Sequence, residues 1–191
     1  MRTMLLGGPG SGKGTQGQRL ARHYGVPHIA SGDLLRAEVR AGTDLGRQVA
    51  GCLDAGRLVP DELISDLMLP AVLSAAEAGG YILDGFPRSV AQAVSADAAL
   101  AESGAGLQSV LFLAVAEQEL VRRLLERAES AGRSDDTAEV IADRLRVFEA
   151  ETRPLIEHYR AQRLLIEMAA DQPADRVTEA ILAALEARDG K

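Results

Sequence analysis

A glycine-rich turn near the start of the chain carries the clearest chemical signal. Residues 7–16 read Gly-Gly-Pro-Gly-Ser-Gly-Lys-Gly-Thr-Gln, after a short apolar run and before a helical pattern. A turn of this kind between a strand and a helix aims several backbone N–H groups at one point, and the helix dipole adds to them. Lys13 adds a mobile positive charge that reaches the outer phosphates of a nucleotide. The turn therefore predicts a phosphate-binding loop.

Arginines form the second signal. Five arginines are candidates for a functional role, although each one alone is typical of a solvated surface. Four of the five lie at or just beyond the end of a predicted element or in a turn marked by Gly or Pro. Arginine grips phosphate with a planar, bidentate fork. Phosphoryl transfer demands mainly positioning and cations around the transferring oxygens. A convergent set facing a phosphate loop would meet that demand, and its candidates are Arg36, Arg88, Arg127, Arg133 and Arg144.

Composition limits the classes of protein to which this chain can belong. Its 191 residues, 47% of them apolar, favour one α/β domain with inserted excursions. The net charge of -7 argues against a general nucleic-acid or membrane-surface protein, so an acidic chain that binds polyphosphate must concentrate its arginines locally. One cysteine, Cys52, excludes an internal disulfide and any multi-cysteine metal site. We expect a cytoplasmic protein, because the apolar run after Arg2 is too short for a signal peptide and no stretch would span a bilayer.

The pattern along the chain predicts the elements that position these residues. Short apolar runs alternate with helical patterns, which favours a parallel sheet covered by helices on both faces. Ligands of such sheets bind beyond the carboxyl ends of the strands. The glycine-rich turn, Ser31-Gly32-Asp33 and Asp84-Gly85 all fall at such ends. The predicted strands are 3–6, 27–30, 81–83, 109–114 and 164–168.

Two segments appear as excursions from this sheet. Residues 31–59 have little strand character and carry two helical patterns, the first capped by Ser31 or Asp33 and the second by Thr43 or Asp44. Residues 127–137 are polar, and we expect an exposed loop there between helices 117–126 and 138–160, with Asp136 or Thr137 capping the second. Pro70 should kink or break helix 61–76, and Pro154 should kink or divide helix 138–160. A last helix, 174–187, closes the core.

Five motifs in order give the chain a specific resemblance. It resembles the adenylate kinase family of nucleoside monophosphate kinases over nearly its whole length. Gly14 stands where a phosphate loop commonly has Ser or Thr, and the hydroxyl follows at Thr15, which is that family's variant of the loop. The other motifs are Ser31-Gly32-Asp33-Leu34-Leu35-Arg36, Gly56-Arg57-Leu58-Val59-Pro60, Asp84-Gly85-Phe86-Pro87-Arg88 with Gln92, and Gly132-Arg133-Ser134-Asp135-Asp136.

The resemblance implies a fold and an activity. The fold would be a phosphate-loop NTPase-type α/β/α arrangement of three layers with a five-stranded parallel sheet. Residues 1–30, 60–126 and 137–191 would form the core, 31–59 the helical segment that binds the monophosphate, and 127–136 a short lid without structural zinc. The activity would be reversible transfer of a phosphoryl group from MgATP to AMP, giving two ADP, for adenine nucleotide homeostasis. We expect a monomer whose partners are these nucleotides, with no nucleic acid and no membrane.

The resemblance also implies roles for individual residues. Lys13, Arg88, Arg133 and Arg144 would act on the phosphoryl group in transfer, and Asp84 would orient Mg²⁺ through water. ATP would bind to Gly10, Ser11, Gly12, Lys13, Gly14, Thr15 and Arg127, with a backbone contact near Gln172. AMP would bind to Ser31, Arg36, Arg57, Leu58, Val59, Gly85, Phe86, Pro87, Arg88, Gln92, Arg133 and Arg144, with Gln92 reading the adenine edge. Asp135 and Asp136 would order the lid by pairing with arginines.

Two alternatives remain at this level, and a third is excluded. A UMP/CMP kinase would share the fold and most arginines, although Gln92 and the Ser31-Gly32-Asp33 form favour AMP. A signalling GTPase is excluded, because the guanine-reading motif Asn-Lys-x-Asp needs asparagine and the sequence has none. A non-catalytic nucleotide-binding module would not need Asp84, Arg88, Arg133 and Arg144 together. The sequence departs from the family pattern in having Ser31 in place of Thr, and Ala128 and Gln172 in place of Gly.

Overall fold

A computed structural model describes residues 1–131 and 137–189 of the chain. In these two ranges the chain forms five strands and nine α-helices, with at least one helix between successive strands. The strands are β1 (Arg2–Leu6), β2 (His28–Ala30), β3 (Tyr81–Asp84), β4 (Ser109–Ala114) and β5 (Leu165–Ala169). The helices are α1 (Lys13–Tyr24), α2 (Ser31–Ala41), α3 (Asp44–Asp54), α4 (Asp61–Glu77), α5 (Val90–Glu102), α6 (Glu117–Ala131), α7 (Ala138–Val147), α8 (Leu155–Ala161) and α9 (Ala174–Asp189). A π-helical turn, Phe148–Thr152, lies between α7 and α8.

The five strands form one parallel sheet in the order β2-β3-β1-β4-β5. The connection that leaves β1 runs toward β2, whereas the one that leaves β4 runs toward β5. Neighbouring strands whose connections diverge in this way open a crevice at their carboxyl ends, where α/β proteins bind ligands. Register aligns those ends, because Leu5 pairs with Asp84 and Ala30 pairs with the same residue from the other side. The predicted three-layer α/β fold is confirmed.

Successive side chains of the central strand β1 point to opposite faces of the sheet, and a separate buried cluster lies on each face. Met4 and Leu6 belong to a buried cluster with side chains of α4, α5 and α8, whereas Leu5 belongs to a second cluster with α1 and α9. A central parallel strand is covered on both faces, which explains why β1 reads as an unbroken apolar run. These two clusters hold the sheet rigid beneath the loops at its carboxyl edge.

The helix ends confirm some of the predicted caps and correct others. Thr43 and Thr137 cap α3 and α7 by accepting hydrogen bonds from Gly46 N and Val140 N. Ser31 is not a cap: it is the first residue of α2, and its hydroxyl donates to the Gly85 carbonyl instead. The Ser31 hydroxyl therefore donates to a distant carbonyl instead of accepting from the first turn of its own helix.

The two internal prolines behave differently. α4 runs without interruption from Asp61 to Glu77 past Pro70, so the predicted break is absent there. Pro154 does divide its segment, after the π-helical turn. α6 continues to Ala131, five residues beyond its predicted end, because residues 127–131 are mostly good helix formers. In the described ranges no helix is long and apolar enough to cross a bilayer.

Candidate active site

The glycine-rich turn after β1 forms an anion-binding cradle. Gly12 caps α1 in a left-handed conformation and no side chain satisfies the first turn, so its backbone N–H groups remain available. Gly10 has a φ of 84°, and a Cβ there would lie 2.9 Å from the Leu120 carbonyl oxygen. The Ser11 hydroxyl is buried and has no hydrogen-bond partner among residues 1–131 and 137–189. A buried donor beside unsatisfied N–H groups fits a phosphate oxygen.

Lys13 extends from this turn into the crevice. Its ammonium donates to the carbonyl oxygens of Gly7 at 2.7 Å and Gly8 at 2.9 Å. Burial lowers the pKa of Lys13 from 10.5 to about 8, an effect strengthened by Arg88, Arg144 and Arg127 and opposed by Asp84. Three arginines close enough to influence the Lys13 pKa show that the cations converge.

Asp84, the last residue of β3, is the acidic member of the site. Burial opposes its ionisation, but His28, Lys13 and Arg88 outweigh that effect and hold the pKa of Asp84 below its ordinary value. The His28 Nε2 atom lies 3.6 Å from a carboxylate oxygen, an electrostatic contact too long for a hydrogen bond. A Cβ added to Gly14 in α1 would lie 3.9 Å from the same carboxylate. Asp84 is thus an anion placed beside the first turn of α1.

Arg88 faces the phosphate loop from the segment after β3. Its Nε atom donates to the Gly85 carbonyl at 2.7 Å. Burial lowers the pKa of Arg88, as do Arg144 and Arg36, while Asp84 raises it. Arg36 itself pairs with Asp33 one turn earlier on α2, at 2.6 Å. An anion that bound between these arginines would offset their mutual repulsion.

The segment after β3 is folded tightly around Gly85. This residue has a φ of 77°, and a Cβ there would lie 2.6 Å from Ser31 Oγ and 3.1 Å from Arg88 Nη2. Its carbonyl accepts from both of those side chains. The Gly85 backbone therefore brings Ser31 and Arg88 together in a way that no other residue would allow.

Gln92 lies behind this segment, on α5, and is 3% exposed. Its Oε1 atom accepts from the Arg88 backbone N–H at 2.8 Å, and its Nε2 atom donates to Asp61 at 2.7 Å. An amide has two N–H donors and two oxygen lone pairs, so one donor and one acceptor site remain for a ligand.

One cleft of about 840 Å³ joins most of these groups. A volume of that size suits nucleotides rather than a single small anion. The predicted site residues that line it are Gly10, Ser11, Gly12, Lys13, Gly14, Thr15, Ser31, Arg36, Leu58, Asp84, Gly85, Pro87, Arg88, Arg127, Arg144 and Gln172.

The remaining predicted residues lie elsewhere. Phe86 and Val59 are buried in the apolar core, Arg57 is exposed, and Gln92 lies just behind the cleft. Their roles in binding AMP stay predictions. Arg133, with Asp135 and Asp136, lies outside the described residues.

Sequence reasoning missed several residues that belong to the cleft. Arg123, one turn before Arg127 on α6, lines it and donates to the Ala170 carbonyl at 3.0 Å. Helical spacing places Arg123 and Arg127 on the same face and would have revealed it. Thr152 and His28 also line the cleft, and no sequence pattern marks either of them.

The loop after β5 is tied to α1 and α6 and carries Gln172 to the edge of the cleft. Gln16 of α1 donates to the Ala174 carbonyl at 2.9 Å and accepts from the Thr178 hydroxyl at 2.8 Å. With the Arg123 bond to Ala170, these contacts fix both ends of the loop. Its backbone is therefore held where a nucleotide base could meet it.

A phosphate loop on a central parallel strand, facing a second set of arginines across one cleft, is the arrangement of a nucleotide-dependent kinase of the phosphate-loop class. Comparison with known proteins makes this assignment specific. The sequence model for adenylate kinase matches residues 5–164. This chain belongs to the adenylate kinase family, and it is a phosphotransferase whose acceptor is a phosphate group.

Relatives from distant organisms support the assignment along the whole chain. An adenylate kinase of Synechococcus sp. is 45% identical over 184 residues, which cover 96% of this chain and 98% of the relative. An adenylate kinase of Thermobifida fusca is 43% identical, and the match covers 98% of this chain and 100% of the relative. Adenylate kinase isoenzyme 1 of Caenorhabditis elegans is 40% identical, and the match covers 98% of this chain and 88% of the relative. The similarity therefore spans both halves of the cleft.

Proposed function

We propose that this enzyme reversibly transfers the terminal phosphoryl group of ATP to AMP, giving two ADP. The observation that carries the proposal is the single cleft, in which the phosphate loop with Lys13 faces Arg88, Arg36 and Ser31. A donor nucleotide and an acceptor nucleotide require two such phosphate-binding sets in one cavity. The enzyme would act as a cytoplasmic monomer that balances adenine nucleotides, without a nucleic-acid or membrane partner.

The transfer needs electrostatic stabilisation rather than proton removal. An oxygen of the AMP phosphate attacks the γ-phosphorus of ATP, the bond to the β,γ-bridging oxygen breaks, and its electron pair leaves with ADP. The attacking phosphate is already anionic, so the protein need not supply a general base. Lys13, Arg88 and Arg144 would stabilise the charge on the transferring oxygens, and Arg133 is proposed to join them.

The two nucleotides would divide the cleft between them. ATP would occupy the phosphate loop, with its base near Arg127 and the Gln172 backbone. The AMP phosphate would lie between Arg36 and Arg88. The donor and acceptor sites left on the Gln92 amide match the N1 acceptor and N6 donor of adenine. Cytosine offers the same pair at N3 and N4, so the comparison of acceptors below decides between AMP and CMP.

The residues present fit a magnesium ion delivered with ATP. Among residues 1–131 and 137–189, no group of three His, Cys, Asp or Glu side chains is arranged to hold a metal. Mg²⁺ is commonly bound by one or two carboxylates, waters and substrate phosphates, and the ionised Asp84 beside the phosphate loop suits that mode. When bound, Mg²⁺ would neutralise charge on the ATP phosphates, and Asp84 would orient it through its waters.

Water is the competing acceptor, and closure of the cleft would exclude it. We propose that residues 31–59 and 127–136 move over the nucleotides and bring Arg36 and Arg127 inward. Lid closure of this kind sequesters phosphoryl transfer, and adenylate kinase is itself a standard example of it.

A panel of acceptors tests the proposal. With ATP as donor, a coupled assay should give a kcat/KM for AMP at least about tenfold above those for CMP, UMP and GMP, a difference within the range that a base of the wrong size or hydrogen-bonding pattern produces. Faster turnover of CMP or UMP would reassign the acceptor. Intact ATP binding without transfer to any monophosphate would favour a non-catalytic module.

Matched arginine variants test the site itself. Arg88→Ala should lower kcat by about 10³–10⁵, the range seen for arginines that act on a transferring phosphoryl group in GTPases. Arg146→Ala removes an exposed arginine of α7 that pairs with Asp143 at the surface, and activity should stay within about twofold. A loss below about tenfold for Arg88→Ala would remove Arg88 from contact with the transferring group.

A further inference from the structure

Thr152 ends the π-helical turn and points its hydroxyl at the site. The turn is closed by the bond from Arg153 N–H to the Phe148 carbonyl, at 2.8 Å, and such turns often occur at functional sites. Thr152 is 7% exposed, and its Oγ1 atom donates to the Arg88 carbonyl at 2.7 Å. This bond joins residues that are 64 positions apart in the chain.

Arg88 lies in an irregular segment between β3 and α5, where no strand ladder fixes its backbone. Side chains replace the ladder: the Arg88 N–H is held by Gln92 and the Arg88 carbonyl by Thr152. The guanidinium is anchored separately, by the Gly85 carbonyl. With both of its hydrogen-bonding groups held, the main chain of Arg88 has one defined orientation.

We infer that Thr152 is a positioning residue that acts through Arg88. Its hydroxyl fixes the Arg88 peptide group, which in turn fixes the direction in which the guanidinium enters the cleft. The inference rests on the proposed function, since it assigns to Arg88 the acceptor's phosphate. Displacing a reacting or binding group by about 1 Å can reduce the rate about 10²-fold, so one distant hydroxyl is enough to matter.

Thr152→Val and Thr152→Ser form the decisive pair. Valine keeps the branched shape and removes the hydroxyl, whereas serine keeps the hydroxyl. We expect Thr152→Val to lower kcat/KM for AMP about 10–100-fold and to change KM for ATP less than about twofold. Thr152→Ser should stay within about threefold of the wild type in both.

Two controls separate positioning from a purely structural role. Thr3→Val removes another buried hydroxyl, bonded to Ser109 at 2.8 Å in β1 and β4, at the edge of the sheet opposite the cleft. It should lower the melting temperature without changing the KM for AMP. In an Arg88→Ala background, Thr152→Val should have no further effect on AMP kinetics, because the residue through which it acts is gone.

Other results would overturn the inference. A lower melting temperature for Thr152→Val with unchanged AMP kinetics would make the hydroxyl structural only, and equal changes in both KM values would do the same. Calorimetric binding of AMP gives a readout independent of turnover, with Kd expected to rise about tenfold in Thr152→Val alone. A wild type that binds AMP without transferring phosphate refutes the proposed function, and the Kd comparison still decides Thr152. Absence of AMP binding to the wild type overturns both.

Discussion

Proton uptake on nucleotide binding is the sharpest consequence of the Lys13 environment. The value of about 8 for its pKa reflects protein groups alone, chiefly burial and then the charges of Asp84, Arg88, Arg144 and Arg127. The difference from 10.5 corresponds to at most about 3 kcal/mol of cost to the charged form. A polyphosphate placed against the ammonium supplies the opposite charge, so binding should raise the Lys13 pKa again.

The size of the effect follows from titration. With a pKa of about 8 before binding and about 10 or higher afterwards, binding should take up roughly 0.7 proton at about pH 8.5 and roughly 0.1 at about pH 7. Affinity should accordingly fall toward tenfold per pH unit above about pH 8, while the bound form stays protonated. The phosphates of the ligand, whose last pKa is about 6, are fully ionised there and contribute nothing.

Calorimetry in two buffers of different ionisation enthalpy measures the uptake. The probe is two adenosines joined by five phosphates, which spans both halves of the cleft, and Lys13→Met is the control because it removes the titrating group. Wild type and Lys13→Met should differ by roughly 0.7 proton at about pH 8.5. Equal uptake in the two proteins, or none in the wild type, would refute the assignment of the low pKa to Lys13.

Three further variants test other parts of the structure. Gly10→Ala should lower the free energy of unfolding by about 1–2 kcal/mol in urea denaturation and weaken ATP binding, because its φ of 84° is strained for any side chain. Tyr81→Phe should cost about 1–2 kcal/mol by the same measurement without altering either KM, since its buried hydroxyl donates to a main-chain carbonyl remote from the cleft. Asp61→Ala frees the Gln92 amide and should raise KM for AMP about 3–10-fold with KM for ATP unchanged.

Much of the fold could be predicted from the sequence, because the patterns that indicate strands and helix caps involve neighbouring residues. The five strands were predicted to within a residue or two, since each buried parallel strand is a short apolar run. Residue type alone predicted the caps of two helices as Thr43 or Asp44 and as Asp136 or Thr137, and the structure shows the threonine in each case. The predicted cap at Ser31 was wrong, because its hydroxyl bonds to Gly85, which only the sheet register brings near. The end of α6 was predicted five residues too early, because its last residues are polar and were interpreted as a loop although most of them favour helices.

A residue of the site can be predicted from the sequence when its own side-chain type indicates the chemistry. It cannot be predicted when its role depends on a contact with a residue far away in the chain. Lys13 and Arg88 were predicted from motifs and Arg144 as one of five candidate arginines, and all three line the cleft. Thr152 depends on a π-helical turn that no local pattern announces. Phe86 was assigned to AMP by resemblance, yet it is 1% exposed and packs in the core, so its part in binding remains untested.

The arrangement of the cations explains how an acidic chain can hold polyphosphate. The protein as a whole carries a net charge of -7, but in the cleft Arg88 lies close enough to Lys13 to lower the Lys13 pKa, and Arg144 and Arg36 lower the pKa of Arg88 in the same way. The acceptors that the protein offers them are neutral carbonyls, from Gly7 and Gly8 for the lysine and from Gly85 for the arginine. A phosphoryl oxygen is a charged acceptor and forms the stronger bond. The site is therefore more complementary to polyphosphate oxygens than to its own backbone, and cations that are already held in place can stabilise charge that develops during transfer.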